Sequence, residues 1–177
     1  MSVQSPVDFE VALISREGER VRSSLFAVKM SNLITQVFDD YSDEDVRGLL
    51  VDNVLEIQTP QVEKRFLLHI VEFCQHHSRG PPIAPIEKPF TKSFQELVSP
   101  WDAHFFEFKN GFFMDDLIGV MNGANYLDIK SLVELCCTKL ASLMRGKTRE
   151  ELRQLYQIEN DFSAEEEAEI LRNNPWA

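Results

Sequence analysis

The sequence predicts a mixed α/β (α+β) fold: a small sheet with packed helices, followed by two helices appended at the C-terminus. Three observations carry this. Residues 9–24, FEVALISREGERVRSS, place two alternating apolar–polar runs around a Gly-containing turn. Between residues 62 and 77, and again between 113 and 144, apolar residues recur every three or four positions. Near the end, Thr148 with Glu151 and Ser163 with Glu166 spell two capping boxes, in which the hydroxyl takes an orphan N–H while the Glu reaches back to the cap.

The alternating segment reads as a hairpin turning at Arg16, Glu17 and Gly18. From Leu25 to Phe38 the period becomes helical, with Leu25, Val28, Leu33, Ile34 and Val37 as an uneven stripe. The acidic stretch DDYSDEDVRG, residues 39–48, reads as a solvated loop. Residues 49–57, LLVDNVLEI, supply one or two further short strands. Thr59 and Pro60 mark a helix start, since proline at the first helical position gives up an N–H that has no partner anyway. Its stripe of Val62, Phe66, Ile70, Cys74 and His77 ends near Gly80, where the Pro-rich linker of residues 78–100 begins.

Beyond the linker, Trp101, Phe105, Phe106 and Phe108 form an aromatic cluster. Phe113, Leu117, Val120 or Met121, Ala124 and Leu127 follow at helical spacing. Asp128 caps a further helix carrying Leu132, Cys136, Leu140 and Leu143 or Met144, and Arg145 with Gly146 closes it. The last two helices, Arg149 to Gln157 and Ala164 to Asn173, offer only Leu152, Leu155 and Tyr156, then Ala168, Ile170 and Leu171. The chain thus divides into an α/β domain, residues 8–145, and a helical tail, residues 146–177.

Composition excludes several functions. A formal charge of −11, from 29 acidic and 18 basic residues, repels a phosphate backbone, so nucleic acid is not an expected partner. No run approaches the ~18–20 apolar residues that cross a bilayer, and MSVQSPVDFE lacks the basic-then-apolar pattern of a signal peptide, so no membrane partner is expected. Three cysteines, Cys74 and the adjacent Cys136 and Cys137, suggest no disulfide framework and place the chain in a reducing compartment, cytoplasm or nucleus.

Chemistry is equally sparse. FCQHH (Cys74, His76, His77) lacks the spacing of a metal site, and adjacent helical positions diverge by about 100°. The cysteines fall on or beside apolar helix faces, where a thiolate is disfavoured. GKT at 146–148 has no upstream glycine or preceding strand, and Glu165 to Glu169 are accounted for by the helix dipole. No catalytic residue, metal, cofactor or small-molecule substrate is expected, and the chain does not read as an enzyme.

Isolated helices shorter than ~12–15 residues are marginal in water, and a cap contributes only about 1 kcal/mol. Packing must therefore hold the tail. Either its apolar groups fold back on the chain's own core, or another protein completes a surface that includes Ile158, Phe162 and Trp176.

The text of residues 124–176 closely resembles one family. NYLDIK, the GKT and EE pair, the I-x-NDF turn, the triple Glu and a terminal N-x-W match the Skp family, the S-phase-kinase-associated adaptors of SCF ubiquitin ligases. The N-terminal part resembles it more loosely, in a hairpin, a helix, an acidic loop and a helix ending in Cys and His-His before prolines. The resemblance implies a BTB/POZ-type fold with two appended helices and an adaptor role bridging a cullin scaffold to F-box proteins. It implies F-box contacts at Leu140, Met144, Leu152, Tyr156, Ile158, Phe162 and Trp176, over an apolar interface of roughly 2,000 Å² or more. Cullin contacts are implied at Asn125 and Tyr126. Two alternatives stay open: an F-box-binding subunit of a non-ligase assembly, for example a kinetochore, or a self-associating BTB scaffold. The chain departs from the family pattern in carrying about four extra residues near FKNGFFM, a linker without the usual acidic character, and Arg149 where many members have proline.

Overall fold

The computed structural model describes residues 10–40, 42–80, 83–86, 88–89, 92–107 and 113–174. Phe108, Trp176 and most of the segment holding the four extra residues lie outside that set. The chain falls into two compact units, Met1–Ser142 and Leu143–Ala177. The described residues form three strands and ten helices.

Two strands, β1 (Glu10–Ile14) and β2 (Arg20–Ser24), form the expected hairpin, with Val11 opposite Ser23 and Leu13 opposite Val21. Gly18, at φ +77°, makes the turn in the left-handed region that glycine enters without steric cost. Strand β2 alternates buried and exposed residues. Strand β1 does not: Val11, Ala12, Leu13 and Ile14 are all buried, because it is the central strand, covered on both faces.

The single helix expected from Leu25 to Phe38 is instead two, α1 (Leu25–Val28) and α2 (Asn32–Asp39). The break belongs to Ser31. Its Oγ accepts the Ile34 N–H at 3.1 Å, capping α2, and donates to the Leu127 carbonyl.

Residues 39–48 hold a helix, α3 (Asp43–Gly48), rather than the loop expected from their acidity. Ser42 Oγ accepts the Asp45 N–H while the Asp45 carboxylate accepts from the Ser42 backbone and hydroxyl, so acidity here marks a helix start. One further strand, β3 (Val54–Gln58), pairs parallel to β1 and completes the sheet order β2-β1-β3.

Thr59 and Pro60 do not open the next helix, which is α4 (Lys64–His77). Thr59 serves the sheet instead, its N–H and hydroxyl both donating to the Ile14 carbonyl, at 2.8 and 2.7 Å. The cap on α4 comes from the hairpin turn, where Glu17 Oε2 accepts the Lys64 N–H at 2.9 Å. That bond holds the Glu17 carboxyl below its usual range.

The Pro-rich linker of residues 78–100 contains α5 (Phe94–Leu97), opened by a Ser93/Glu96 capping box, and is followed by α6 (Pro100–Phe105), capped by Ser99. Trp101, Phe105 and Phe106 join Phe73 in the expected aromatic cluster, and the Trp101 ring stacks on His76 at 3.8 Å.

Helix α7 (Phe113–Tyr126) packs on α4, burying Leu117, Val120 and Ala124. Helix α8 (Lys130–Met144) follows, with Leu132, Leu135 and Cys136 buried. Asp128 does not cap α8. It sits at φ 51° in the left-handed region and ends α7, where the Ile129 N–H returns to the Ala124 carbonyl at 2.9 Å. The remaining helices match their expected ranges closely: α9 (Arg149–Tyr156) and α10 (Ala164–Asn173), each with its capping box formed.

Candidate partner-binding sites

In the first unit, Asn125 and Tyr126 end α7, the first exposed and the second half-buried. Their turn is tied down from α2. Besides the Ser31 hydroxyl bond to Leu127, the Asn32 N–H donates to the Asp128 carbonyl at 3.3 Å and Asn32 Nδ2 donates to the Asp128 carboxylate at 3.0 Å. These partners lie 96 residues apart, so no local signal in the sequence announces the clamp. Asn125 also borders a groove of about 610 Å³ that runs along α8 past Val133, Glu134 and Cys137, with a Lys88–Glu134 ion pair of 2.9 Å at its rim.

Leu140, also in the first unit, is half-buried, and Met144 is 43% exposed at the end of the same helix. In the second unit, α9 and α10 bury no residue. Leu152 and Tyr156 are half-buried, whereas Ile158 and Phe162 stand 58% and 48% exposed and Ile170 and Leu171 are exposed as well. The tail's expected dependence on packing is therefore unmet among the described residues.

Polar contacts join the two short helices. Glu167 Oε1 accepts from Arg153 Nη1 at 3.0 Å and from Asn160 Nδ2 at 3.3 Å, and Arg149 Nη2 stands 3.7 Å away. Arg149 thus does here what proline could not. The Glu run therefore serves more than the helix dipole, through a pairing that no periodicity announces, since Arg153 and Glu167 lie fourteen positions apart.

Four tail carboxyls are held below their usual 4.5: Glu151 and Glu166 by the N–H groups of Thr148 and Ser163, Glu150 by Arg149, and Glu167 by Arg153. Since the folded values lie below the unfolded one, their stabilisation is complete above about 4.5 and is lost as pH falls through the folded values. Carbon chemical shifts of residues 149–173 are accordingly expected to lose helical character on acidification from pH 5 to pH 3. Unchanged shifts over that range would contradict the assignment.

Catalytic features do not emerge from the same residues. Cys74 is buried and its thiol is pushed up to about 12 by desolvation, and burial likewise raises Cys136. Cys137 departs from the expectation for the three cysteines by being exposed, its Sγ 3.9 Å from Met121 Sδ. His77 is occupied by Asp102 at 2.8 Å inside the aromatic cluster. Among the described residues, no three His, Cys, Asp or Glu side chains gather as a metal site, and no helix is long and apolar enough to cross a membrane.

A small sheet packed with helices, and two capped helices whose apolar residues stay half-buried or exposed, fit a class of protein that holds other proteins. Comparison with known sequences gives the family. Residues 130–177 match the model of the Skp1 family, dimerisation domain. The S-phase kinase-associated protein 1 homolog of Tetrahymena thermophila is 40% identical over 169 residues, covering 95% of this chain and 93% of that protein. The E3 ubiquitin ligase complex SCF subunit sconC of Arthroderma benhamiae is 33% identical over 139 residues, 74% of this chain and 82% of that one. A Skp1-related protein of Caenorhabditis elegans is 29% identical over 167 residues, 94% and 90% of the two chains. The chain belongs to the Skp1 family, and its fold is BTB-like.

Proposed function

We propose that this protein is a non-catalytic adaptor of an SCF-type E3 ubiquitin ligase, joining a cullin scaffold to F-box substrate receptors, and that it works in the cytoplasm and nucleus. Membership of a family whose relatives are named as SCF subunits supports the assembly. The observation that carries the adaptor reading is the tail: two helices with complete capping boxes and no buried residue. Helices so short need a second surface, and an F-box segment supplies it against Leu140, Met144, Leu152, Tyr156, Ile158, Phe162 and Trp176. Asn125 and Tyr126, on their clamped turn, take the cullin.

The two surfaces separate in one experiment. Tyr126→Lys places a charge where a half-buried ring meets the partner, so cullin recovery in a pull-down should fall at least tenfold while F-box recovery stays unchanged. Loss of both partners, or of neither, would refute the two-surface assignment. An F-box protein recovered from the wild-type chain without any cullin would move the protein to an assembly outside ubiquitin transfer.

A further inference from the structure

One covered polar atom in the second unit lacks a hydrogen-bond partner among the described residues. It is Tyr156 Oη, and the residue that bears it is only half-buried. A covered hydroxyl without a partner has given up its bonds to water and gained none, a cost that native structures seldom leave uncorrected. Its phenol is raised above its usual 10 by the same burial.

The position allows correction. Tyr156 is the last residue of α9, and Gln157 follows it in the left-handed conformation at φ 53°. A helix of eight residues that buries none of them offers little resistance to reorienting its final side chain. Ile158 and Phe162, shortly beyond it in the chain, are exposed.

We propose that Tyr156 is a polar recognition residue as well as an apolar contact: on docking, its ring turns and its hydroxyl donates to an acceptor, a main-chain carbonyl or a carboxylate, on the F-box segment. This rests on the adaptor reading above. The free chain is then held in a slightly disfavoured arrangement that the correct partner relieves, so the hydroxyl contributes to selectivity. A segment with only apolar groups at that point would leave the hydroxyl unpaired.

Tyr156→Phe isolates the hydroxyl, since it keeps the ring and all apolar contact. The probe is a recombinant F-box protein that the wild-type chain captures. The free variant is expected to unfold about 2–4 °C higher, because the orphaned group is gone. Its affinity for the F-box protein, measured by calorimetry, should fall about tenfold, since the acceptor on the partner is left unpaired. Equal or tighter binding by Tyr156→Phe would overturn the inference and leave the adaptor reading standing. Failure of the wild-type chain to capture any F-box protein would overturn both. A lower melting temperature for the variant would show the hydroxyl to be satisfied in the free protein and would also overturn it.

Discussion

Replacing Ile158 and Phe162 together by Asp is expected to abolish F-box capture and to leave the melting temperature of the free protein where it was. Both side chains are about half exposed or more, so the free fold has little invested in them. An anchor that becomes fully desolvated in an interface is worth about 2 kcal/mol or more, and each substitution also asks the partner to bury a carboxylate. Two such losses exceed about 4 kcal/mol, a weakening of roughly a thousandfold, enough to empty a pull-down. Circular dichroism on the free variant checks the second half of the statement. Retained capture would mean that the exposed face is not the F-box surface; a collapsed melting temperature would mean that the two side chains belong to a core.

The second large effect lies in the first unit, where α4 and α7 cross. Gly119 of α7 faces the Phe66 ring so closely that a Cβ would fall on the ring atoms, and a Cβ on Gly123, one turn on, would lie 2.7 Å from Ile70 Cδ1. Gly119→Ala therefore has two outcomes available. Phe66 leaves its buried place, forfeiting roughly 1.5–3 kcal/mol of transfer energy, or the helices separate at a similar cost in strain. Either lowers the melting temperature by about 5–10 °C in a chain of this size, read by thermal denaturation. A shift under about 1 °C would show that the crossing is looser than the packing implies.

Much of this architecture was legible in the sequence where the cause was local. The hairpin needed only alternation and Gly18; the ends of α9 and α10 needed only Thr148, Glu151, Ser163 and Glu166. Misreadings arose where the deciding partner was distant. Thr59 and Pro60 have every local feature of a helix start, but Ile14, 45 residues earlier, takes the threonine hydroxyl. The break at Ser31 depends on Leu127, and Asp128, a good cap by composition, was drawn into ending α7 by its place in the chain. In residues 39–48, low hydrophobicity hides a helix whose start the Ser42 and Asp45 pairing spells. For the site, exposed Ile158 and Phe162 were nameable from the resemblance, whereas the clamp beneath Tyr126 and the Glu167 hub were not, since each joins segments with no shared period.

The Glu17 bond to the first turn of α4 bears on how the molecule assembles. The donor and acceptor stand 47 residues apart, so the helix is missing a piece of its own beginning until the hairpin arrives. Pairing of β1 with β2 therefore favours the start of α4, and a cut between the hairpin and the helix would separate that N–H from its acceptor.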